Sequence, residues 1–250
     1  MDRPPLEAPF RWEGEHIAAE LPGARALFTT RHGGVSREPY ASLNLGPLTE
    51  DDPDAVEANR DRLAETVGLP RARFFHGRQV HGTRVRRAGE PPGLGRPTAE
   101  EDGQATALAH APALVYAADC VPVMLAAEGA VAALHAGWPG LADGILAEGI
   151  TALREVGGEG PIHAAIGPCA GPCCYEVGDE VRARFADVPE AGAGDRRIDL
   201  PAIAAAKLRA AGVEEVHVAG LCTICTTELF FSHRGDGGTT GRQVGVVWRA

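Results

Sequence analysis

Three short segments each place one potential metal ligand beside a glycine or a proline. They are Gln79-Val80-His81-Gly82, Ala118-Asp119-Cys120-Val121-Pro122 and Leu134-His135-Ala136-Gly137-Trp138. His81, Cys120 and His135 offer two imidazoles and one thiolate, a donor set that suits Zn²⁺ with a fourth position open to water. Water at such a position is acidified to a pKa of about 7. The spacings of 39 and 15 residues match no local zinc motif, so a buried thiol and two ordinary strand histidines are the alternative.

The other five cysteines form a second group: Cys169, Cys173 and Cys174, followed by Cys222 and Cys225. The spacing Cys222-x-x-Cys225 is typical of half a structural zinc site or of a redox pair. The spacing Cys169-x-x-x-Cys173-Cys174 is not a usual second half of a zinc site. We therefore expect buried, unpaired thiols, with a structural zinc site and a redox pair as alternatives.

Arginines in or beside motif-like segments are the candidates for binding an anion. Arg31, Arg60 and Arg234 occupy such positions, and a guanidinium can bind a phosphate or a carboxylate through two hydrogen bonds. The run Gly235–Gly241 resembles a phosphate-binding loop, but a predicted strand follows it, so no helix N-terminus would face the phosphate. A connecting loop is the favoured interpretation, and each arginine has a structural role as its alternative.

Composition excludes several classes of protein. The chain has 250 residues, a formal net charge of -10 and 44% hydrophobic residues, which indicates a globular protein that does not bind nucleic acid. The sequence contains no P-loop, no His-Glu-x-x-His motif, no Gly-x-Ser-x-Gly elbow and no base-deaminase signature. Nine histidines without a His-x-His pair argue against a site with four coppers.

Neither the N-terminus nor the most apolar stretch indicates export or membrane insertion. The first residues lack the charged and apolar regions of a signal peptide. The stretch 111–134 contains Asp119, Pro122 and Glu128, so it predicts consecutive buried strands rather than a membrane span. We expect a cytoplasmic protein, in which cysteines are thiols or metal ligands rather than disulfides.

Local patterns predict the elements that would hold these residues. Helical spacing predicts helices over 51–68, 140–156, 177–185 and 201–211. Apolar and alternating runs predict strands over 26–30, 74–86, 114–118, 121–126, 130–135, 162–166, 216–219 and 244–248. Alternation over 74–86 would place Gln79, His81, Thr83 and Val85 on one face. We expect loops at 89–98, 171–174 and 191–195, of which the last two would either lie near a site or be flexible. Elements mix without a strict βαβ rhythm, which predicts one mixed α/β domain over residues 1–250, with helices covering a sandwich of sheets.

Further motifs extend in one order from about Phe28 to Trp248. Besides the three ligand segments they are Thr29-Thr30-Arg31-His32-Gly33-Gly34-Val35-Ser36, Ser42-Leu43-Asn44-Leu45-Gly46, Asn59-Arg60-x-x-Leu63, Ile166-Gly167-Pro168-Cys169, Cys173-Cys174-Tyr175-Glu176-Val177-Gly178, Phe230-Phe231-Ser232-His233-Arg234 and Thr240-Gly241-Arg242. In this combination the chain resembles the YfiH-type family. That family was long labelled polyphenol oxidase or laccase domain and is now associated with purine nucleoside metabolism.

The resemblance implies a single-domain α/β/β/α layered sandwich with mixed sheets. It also implies one Zn²⁺ on His81, Cys120 and His135, although copper (Cu²⁺) has been ascribed to the family as well. The implied activities are phosphorolysis of adenosine, inosine and S-methyl-5'-thioadenosine, and hydrolytic deamination of adenosine. The partners would be a nucleoside and phosphate as co-substrate, with no nucleic acid and no membrane. The oligomeric state stays open, with a monomer favoured.

The resemblance also implies roles for residues outside the ligand set. Asn44 and Arg60 match positions expected to line the substrate or phosphate pocket, and Arg31 and Arg234 are further candidates for binding substrate. Asp119 is a candidate proton shuttle for deamination because it adjoins the proposed ligand at position 120. A role in orienting the strand turn through hydrogen bonds is an equal alternative for it.

Three positions depart from the family pattern. Pro139 stands where the family usually has arginine, His233 where it has tyrosine, and Gly235 where it has a second arginine. These departures leave the metal ligands intact and bear on anion binding.

Three other functions stay open. They are an amidase that removes misincorporated serine or glycine from a peptidoglycan precursor, a copper-dependent polyphenol oxidase, and a non-enzymatic, metal-stabilised interaction protein. A closed site with four protein ligands and no water would mark the last of these.

Overall fold

Two β-sheets and their covering helices make up the structure, a computed structural model that describes residues 3–97, 99–192, 194 and 196–249. The strands are β1 (Phe10–Glu13), β2 (His16–Leu21), β3 (Ala24–Phe28), β4 (Val85–Arg87), β5 (Gly103–Thr106), β6 (Ala113–Ala117), β7 (Val121–Glu128), β8 (Ala130–Ala136), β9 (Glu159–Ile166), β10 (Glu215–Val218) and β11 (Gln243–Arg249). The helices are α1 (Pro53–Val67), α2 (Trp138–Asp143), α3 (Ile145–Glu155), α4 (Asp179–Ala183) and α5 (Leu200–Ala210).

The two sheets pack face to face, with helices on both outer sides. The five-stranded sheet has the order β1-β2-β3-β11-β6 with antiparallel neighbours. The six-stranded sheet, β10-β9-β7-β8-β5-β4, is mixed because its two outer pairs are parallel. Since strand side chains alternate between faces, Leu134 of β8 packs with α3, while Ala133 lies between the sheets. Leu63 and Val67 bring α1 onto the other outer face. The predicted α/β/β/α layering is confirmed.

Capping residues set the bounds of the helices. Asp52 caps α1 by accepting a hydrogen bond from the Asp54 amide, and Gly68 ends the helix with φ of 75°. The helix predicted over 51–68 is therefore confirmed. The single helix predicted over 140–156 is wrong, because Gly144 adopts φ of 104° and separates α2 from α3, a left-handed conformation that glycine takes without steric penalty.

The strand predicted over 74–86 is also wrong, and its middle forms a loop that carries His81. His81 has φ of 61°, which breaks the alternation of side chains. The side chain of Gln79 takes the place of backbone pairing with β6. Its Nε2 donates to the backbone carbonyl of Tyr116 at 2.7 Å, and its Oε1 accepts from the backbone amide of Tyr116 at 2.7 Å. Regular pairing resumes only at β4.

The remaining expectations differ from the structure mainly at the N-terminus and at β5. The sequence predicted a short β region in the first forty or so residues, but not the separate strands β1 and β2, and it did not predict β5. The other predicted strands and helices agree within a few residues at each end. The expected loops 89–98 and 191–195 include Thr98, Ala193 and Asp195, which lie outside the described residues. In the part of the chain that is described, no helix has both the length and the hydropathy needed to cross a bilayer.

Candidate active site

His81, Cys120 and His135 converge at the ends of the central strands of the six-stranded sheet. Cys120 directly precedes β7 and His135 lies near the end of β8, where it pairs with Pro122 of β7. Cys120 Sγ is 3.5 Å from His81 Nε2, and the ligand atoms of all three residues lie within 4.8 Å of one another. The three sequence segments therefore form one group that could hold a metal ion.

Asp102, which the sequence analysis did not single out, fixes two of these ligands from behind. Its buried carboxylate accepts hydrogen bonds from the backbone amides of Val80, His81 and Gly82, at 3.1, 2.9 and 2.8 Å. His135 Nδ1 lies 2.8 Å from Asp102 Oδ1, so Nδ1 carries the proton and Nε2 is left as the ligand atom. No spacing rule points to Asp102, because it acts through the loop that it holds.

Electrostatics favour a thiolate at Cys120. Burial raises the pKa of this thiol, but His135 and His81 outweigh burial and lower the pKa to about 6. Burial lowers the pKa of His135, whereas the charges and hydrogen bonds of Cys120 and Asp102 outweigh it and raise the pKa to about 9. A cation that replaces the shared proton would meet one thiolate and two imidazoles, a donor set that fits Zn²⁺ or a copper ion.

Gly137 allows the ligands to come this close. A Cβ atom at this position would overlap the His81 ring and lie 3.3 Å from Cys120 Sγ. The His81 and His135 rings meet edge to face with centroids 4.9 Å apart. The small residue in the His135-Ala136-Gly137-Trp138 segment is therefore part of the site's geometry.

A cavity of about 480 Å³ opens onto the three ligands. Its described lining includes the metal-ligand group, Arg78, Arg234, Arg242, the aromatic residues Tyr116, Trp138 and Tyr175, and one carboxylate, that of Asp119. The chain carries a net charge of -10, yet three arginines and one carboxylate residue line this cavity. Arg78 is paired with the carboxylate of Glu100, whereas Arg234 and Arg242 donate to backbone carbonyls. Local charge thus favours an anionic ligand.

Arg242 and Arg234 are both held in place by the cavity wall. Arg242 Nη1 donates to the carbonyls of Thr240 and Gly241, at 2.9 and 2.8 Å, and burial lowers its pKa. Arg234 Nη1 donates to the carbonyl of Glu176 at 2.9 Å, and its guanidinium lies 5.2 Å from the centre of the Tyr175 ring. Arg234 is among the substrate-binding residues predicted from the sequence, whereas Arg242 is not, although Thr240-Gly241-Arg242 is one of the motifs that carry the family resemblance.

Asp119 borders the cavity and anchors the C-terminal loops. Its Oδ1 accepts from the hydroxyls of Thr223 and Ser232, at 2.6 and 2.7 Å, and its Oδ2 accepts from the Arg234 amide at 2.7 Å. Its backbone φ is 89°. These contacts fit the orienting role weighed in the sequence analysis, and the proton-shuttle role stays a prediction.

Asn44, Arg60 and Arg31 support the cavity from outside its described lining. Asn44 is fully buried, and its Oδ1 accepts from the amide of Arg242 at 2.9 Å. Arg60 lies under the pocket, with Nη2 3.4 Å from the hydroxyl of Tyr116. Arg31 donates to the carbonyls of Ala41 and Thr227, at 2.8 and 2.6 Å. Their assignment to substrate binding stays a prediction.

The three departures from the family pattern lie around the same cavity. Pro139 is in the first turn of α2, next to the lining residue Trp138. His233 lines the cavity, and the Gly235 amide donates to the hydroxyl of Ser232 at 2.8 Å. Arg234 directly precedes Gly235 in the sequence, and Arg234 and Arg242 line the same cavity as His233.

The second cysteine group also comes together, which corrects the expectation of buried, unpaired thiols. Cys169 is buried, but Cys173 and Cys225 are exposed. Cys173, Cys174, Cys222 and Cys225 place their sulfur atoms within 4.8 Å of one another.

Comparison with known proteins identifies the family. A family model described as multi-copper polyphenol oxidoreductase laccase matches residues 25–250. The chain belongs to this laccase family. Within it, a protein of Corynebacterium glutamicum named purine nucleoside phosphorylase is 39% identical over 233 residues, which cover 90% of this chain and 94% of that protein.

Solved structures of similar proteins agree with the fold. The hypothetical protein YfiH of Bacillus licheniformis superposes with a TM-score of 0.90 at 31% identity, over 98% of this chain and 100% of that one. YlmD of Geobacillus stearothermophilus superposes with a TM-score of 0.88 at 36% identity, over 96% of this chain and 98% of that one. YlmD is named purine nucleoside phosphorylase.

Proposed function

We propose that the cavity catalyses phosphorolysis of purine nucleosides, with adenosine, inosine and S-methyl-5'-thioadenosine as substrates, and hydrolytic deamination of adenosine. The observation that carries this proposal is that one cavity joins a metal-ligand group to three arginines. Relatives of similar length that are named purine nucleoside phosphorylase support the class of substrate.

Phosphorolysis requires a phosphate oxygen and the ribose C1′ to be held in line. The new bond forms at C1′ while the bond from C1′ to the purine nitrogen breaks, and its electron pair leaves with the purine, which takes up a proton. Arg242 and Arg234 would bind the phosphate through paired N–H donors and hold it against C1′. Arg242 Nη1 is already bound to carbonyls, which leaves its other nitrogens for the anion.

The aromatic lining would hold the purine. Trp138 and Tyr175 border the cavity beside the metal ligands, and flat aromatic faces suit stacking on a purine ring. A bound Zn²⁺ would supply a Lewis acid at this wall. Asp102 would keep His81 and His135 oriented toward it, as the carboxylate partners of ligating histidines do.

Deamination at the same site would replace the C6 amino group of adenosine with oxygen from water and release ammonia. The cavity would have to turn the purine so that C6, rather than C1′, faces the metal ligands. Asp119 is the carboxylate that borders the described cavity, but its oxygens already accept three hydrogen bonds. This arrangement supports phosphorolysis as the main reaction and deamination as the slower one.

The decisive experiment is conversion of adenosine and inosine by the zinc-loaded protein, with and without phosphate, beside His135→Ala. We expect ribose 1-phosphate and free base to form only with phosphate and only in the unaltered protein. Arg242→Gln should raise KM for phosphate more than KM for nucleoside, whereas the exposed Arg182→Gln should change neither.

The alternative functions give different products. Release of serine from a peptidoglycan precursor, with no nucleoside turnover, would indicate the editing amidase. Phenol oxidation that requires added copper would indicate the oxidase. Tight metal binding with none of these reactions would favour the interaction protein.

A further inference from the structure

Four thiols from two chain segments meet on the surface beside the cavity wall. Cys173 and Cys174 lie in a turn after Gly171, and Cys222 and Cys225 lie in a second turn. Cys225 Sγ is 2.7 Å from Cys174 Sγ and 3.1 Å from Cys173 Sγ, and all four sulfur atoms lie within 4.8 Å of one another.

We propose that these four cysteines bind a second metal ion, Zn²⁺, in a closed tetrahedral site. Zn–S bonds of about 2.3 Å in a tetrahedron place the sulfur atoms about 3.8 Å apart, so small side-chain rotations bring the cluster to this geometry. Each thiol releases its proton to solvent when it binds, which leaves a site with four protein ligands and no open position.

The backbone holds both turns in place without the metal. Backbone hydrogen bonds join the two segments. The Cys169 amide donates to the carbonyl of Leu221 at 3.2 Å, and the Thr223 amide donates to the carbonyl of Cys169 at 3.0 Å. The Gly171 amide donates to Cys222 Sγ at 3.2 Å. An N–H group directed at sulfur stabilises a thiolate, as a zinc ligand requires.

The geometry favours a metal over a disulfide. Cys225 approaches both Cys173 and Cys174, so no one pair of thiols stands apart from the others, and a single S–S bond would use only two of the four. One Zn²⁺ binds all four at once. Arg197 donates to the carbonyl of Cys173 at 2.9 Å, which places a positive charge beside a site of net negative charge.

The position of this cluster assigns it a structural role at the cavity. Tyr175, which lines the cavity, follows Cys174 directly. Thr223, which donates to Asp119 at 2.6 Å, lies next to Cys222. Zinc would tie the two segments together at the point where they reach the cavity wall.

Metal content tests this proposal without any nucleoside assay. We expect about two zinc ions per chain in the unaltered protein and about one in His135→Ala, which retains the four-cysteine site. Cys174→Ser/Cys225→Ser should also retain about one. Cys169→Ala, which removes a buried thiol outside the cluster, is the matched control and should retain both.

Cobalt substitution of His135→Ala keeps the test independent of how the cysteine variants fold. Thiolate-to-cobalt charge-transfer bands of the strength expected for four thiolates, with tetrahedral ligand-field bands, would support the proposal. One zinc per chain that is lost with His135 would overturn it. Two thiols missing from a titration of the denatured, metal-free protein would also overturn it, because they would reveal a disulfide.

Discussion

The two cysteine-containing clusters differ in how much of the protein is needed to hold them. The group at His81, Cys120 and His135 has three ligands, faces a cavity, and depends on Asp102 and on the absence of a side chain at Gly137. The group at positions 173, 174, 222 and 225 lies in two turns, with two of its thiols exposed.

This difference follows from how many coordination positions of a bound metal ion each set of ligands leaves open. A set of three ligands keeps one coordination position for a substrate, so its geometry has to come from buried groups around it. Four thiolates would complete the coordination of zinc by themselves, so such a site can form on the surface with only short turns beneath it. Under the two proposals, the first site would serve chemistry and the second would hold the chain.

The largest expected effect comes from adding one methyl group to the first site. Gly137→Ala forces the His81 ring out of the ligand set, because the new Cβ would overlap it. We expect nucleoside turnover to fall by on the order of 10³-fold, with loss of one zinc per chain. Gly89→Ala, whose Cβ meets nothing within 4 Å, should leave turnover and zinc content unchanged. Full activity in Gly137→Ala would show that the three residues do not act together.

Asp102→Asn should have a smaller effect on the same site. The amide keeps one acceptor oxygen for the loop at 80–82 but loses the charge that holds the proton on His135 Nδ1. We expect zinc affinity at this site to fall by about 10–100-fold, measured by competition with a chelator. Glu100→Gln, which alters an exposed carboxylate two residues away, is the control. An unchanged affinity would mean that the hydrogen bonds to Asp102 do not orient the ligands.

Sequence patterns predicted the three candidate metal ligands, but they predicted a strand where the structure has the loop that carries His81. Cys120 and His135 border continuous apolar strands, so β7 and β8 were found within two residues of their observed ends. The loop with His81 was missed because side chains make its pairing: Gln79 bonds to β6 and Asp102 to three successive amides. Such contacts join residues twenty or more positions apart, and local periodicity does not record them.

The same limit of local sequence patterns explains why three of the predicted substrate-binding residues lie outside the described lining of the cavity. Asn44, Arg31 and Arg60 belong to motifs, but their side chains bond to carbonyls and amides of neighbouring loops. Arg242 has the same motif signal and does border the cavity. Only the path of the chain around the cavity separates a residue that faces it from one that supports its wall.

The second cluster should matter for stability more than for turnover. Loss of its metal in Cys174→Ser/Cys225→Ser opens the connection between two segments some fifty positions apart in sequence, and we expect unfolding free energy to fall by about 2 kcal/mol, or Tm by about 4–8 °C. Turnover well below the melting range should change by less than about threefold. Differential scanning calorimetry and a nucleoside assay measure the two effects. A loss of turnover as large as that of Gly137→Ala would erase the distinction between the clusters.

The smallest effect concerns His76, which is buried at the base of the loop that carries His81. Its Nε2 lies 3.1 Å from the carbonyl of Gly93 and its Nδ1 lies 2.9 Å from the Tyr116 hydroxyl. Burial and the nearby charge of Arg60 lower the pKa of His76 to about 4. The unfolded chain binds this proton near pH 6.5, so stability is retained above that pH and falls as the pH drops toward 4.

Between pH 7.5 and 5.5 protonation of this group in the unfolded chain should lower the free energy of unfolding by about 1 kcal/mol. His76→Gln should remove that part of the pH dependence, although it lowers stability at both pH values. Urea unfolding of the unaltered protein and of His76→Gln at both pH values measures this contribution. The other titrating groups cancel when the pH dependence of one protein is subtracted from that of the other. If His76→Gln kept the same pH dependence of stability as the unaltered protein, the group responsible for acid sensitivity would lie elsewhere than at His76.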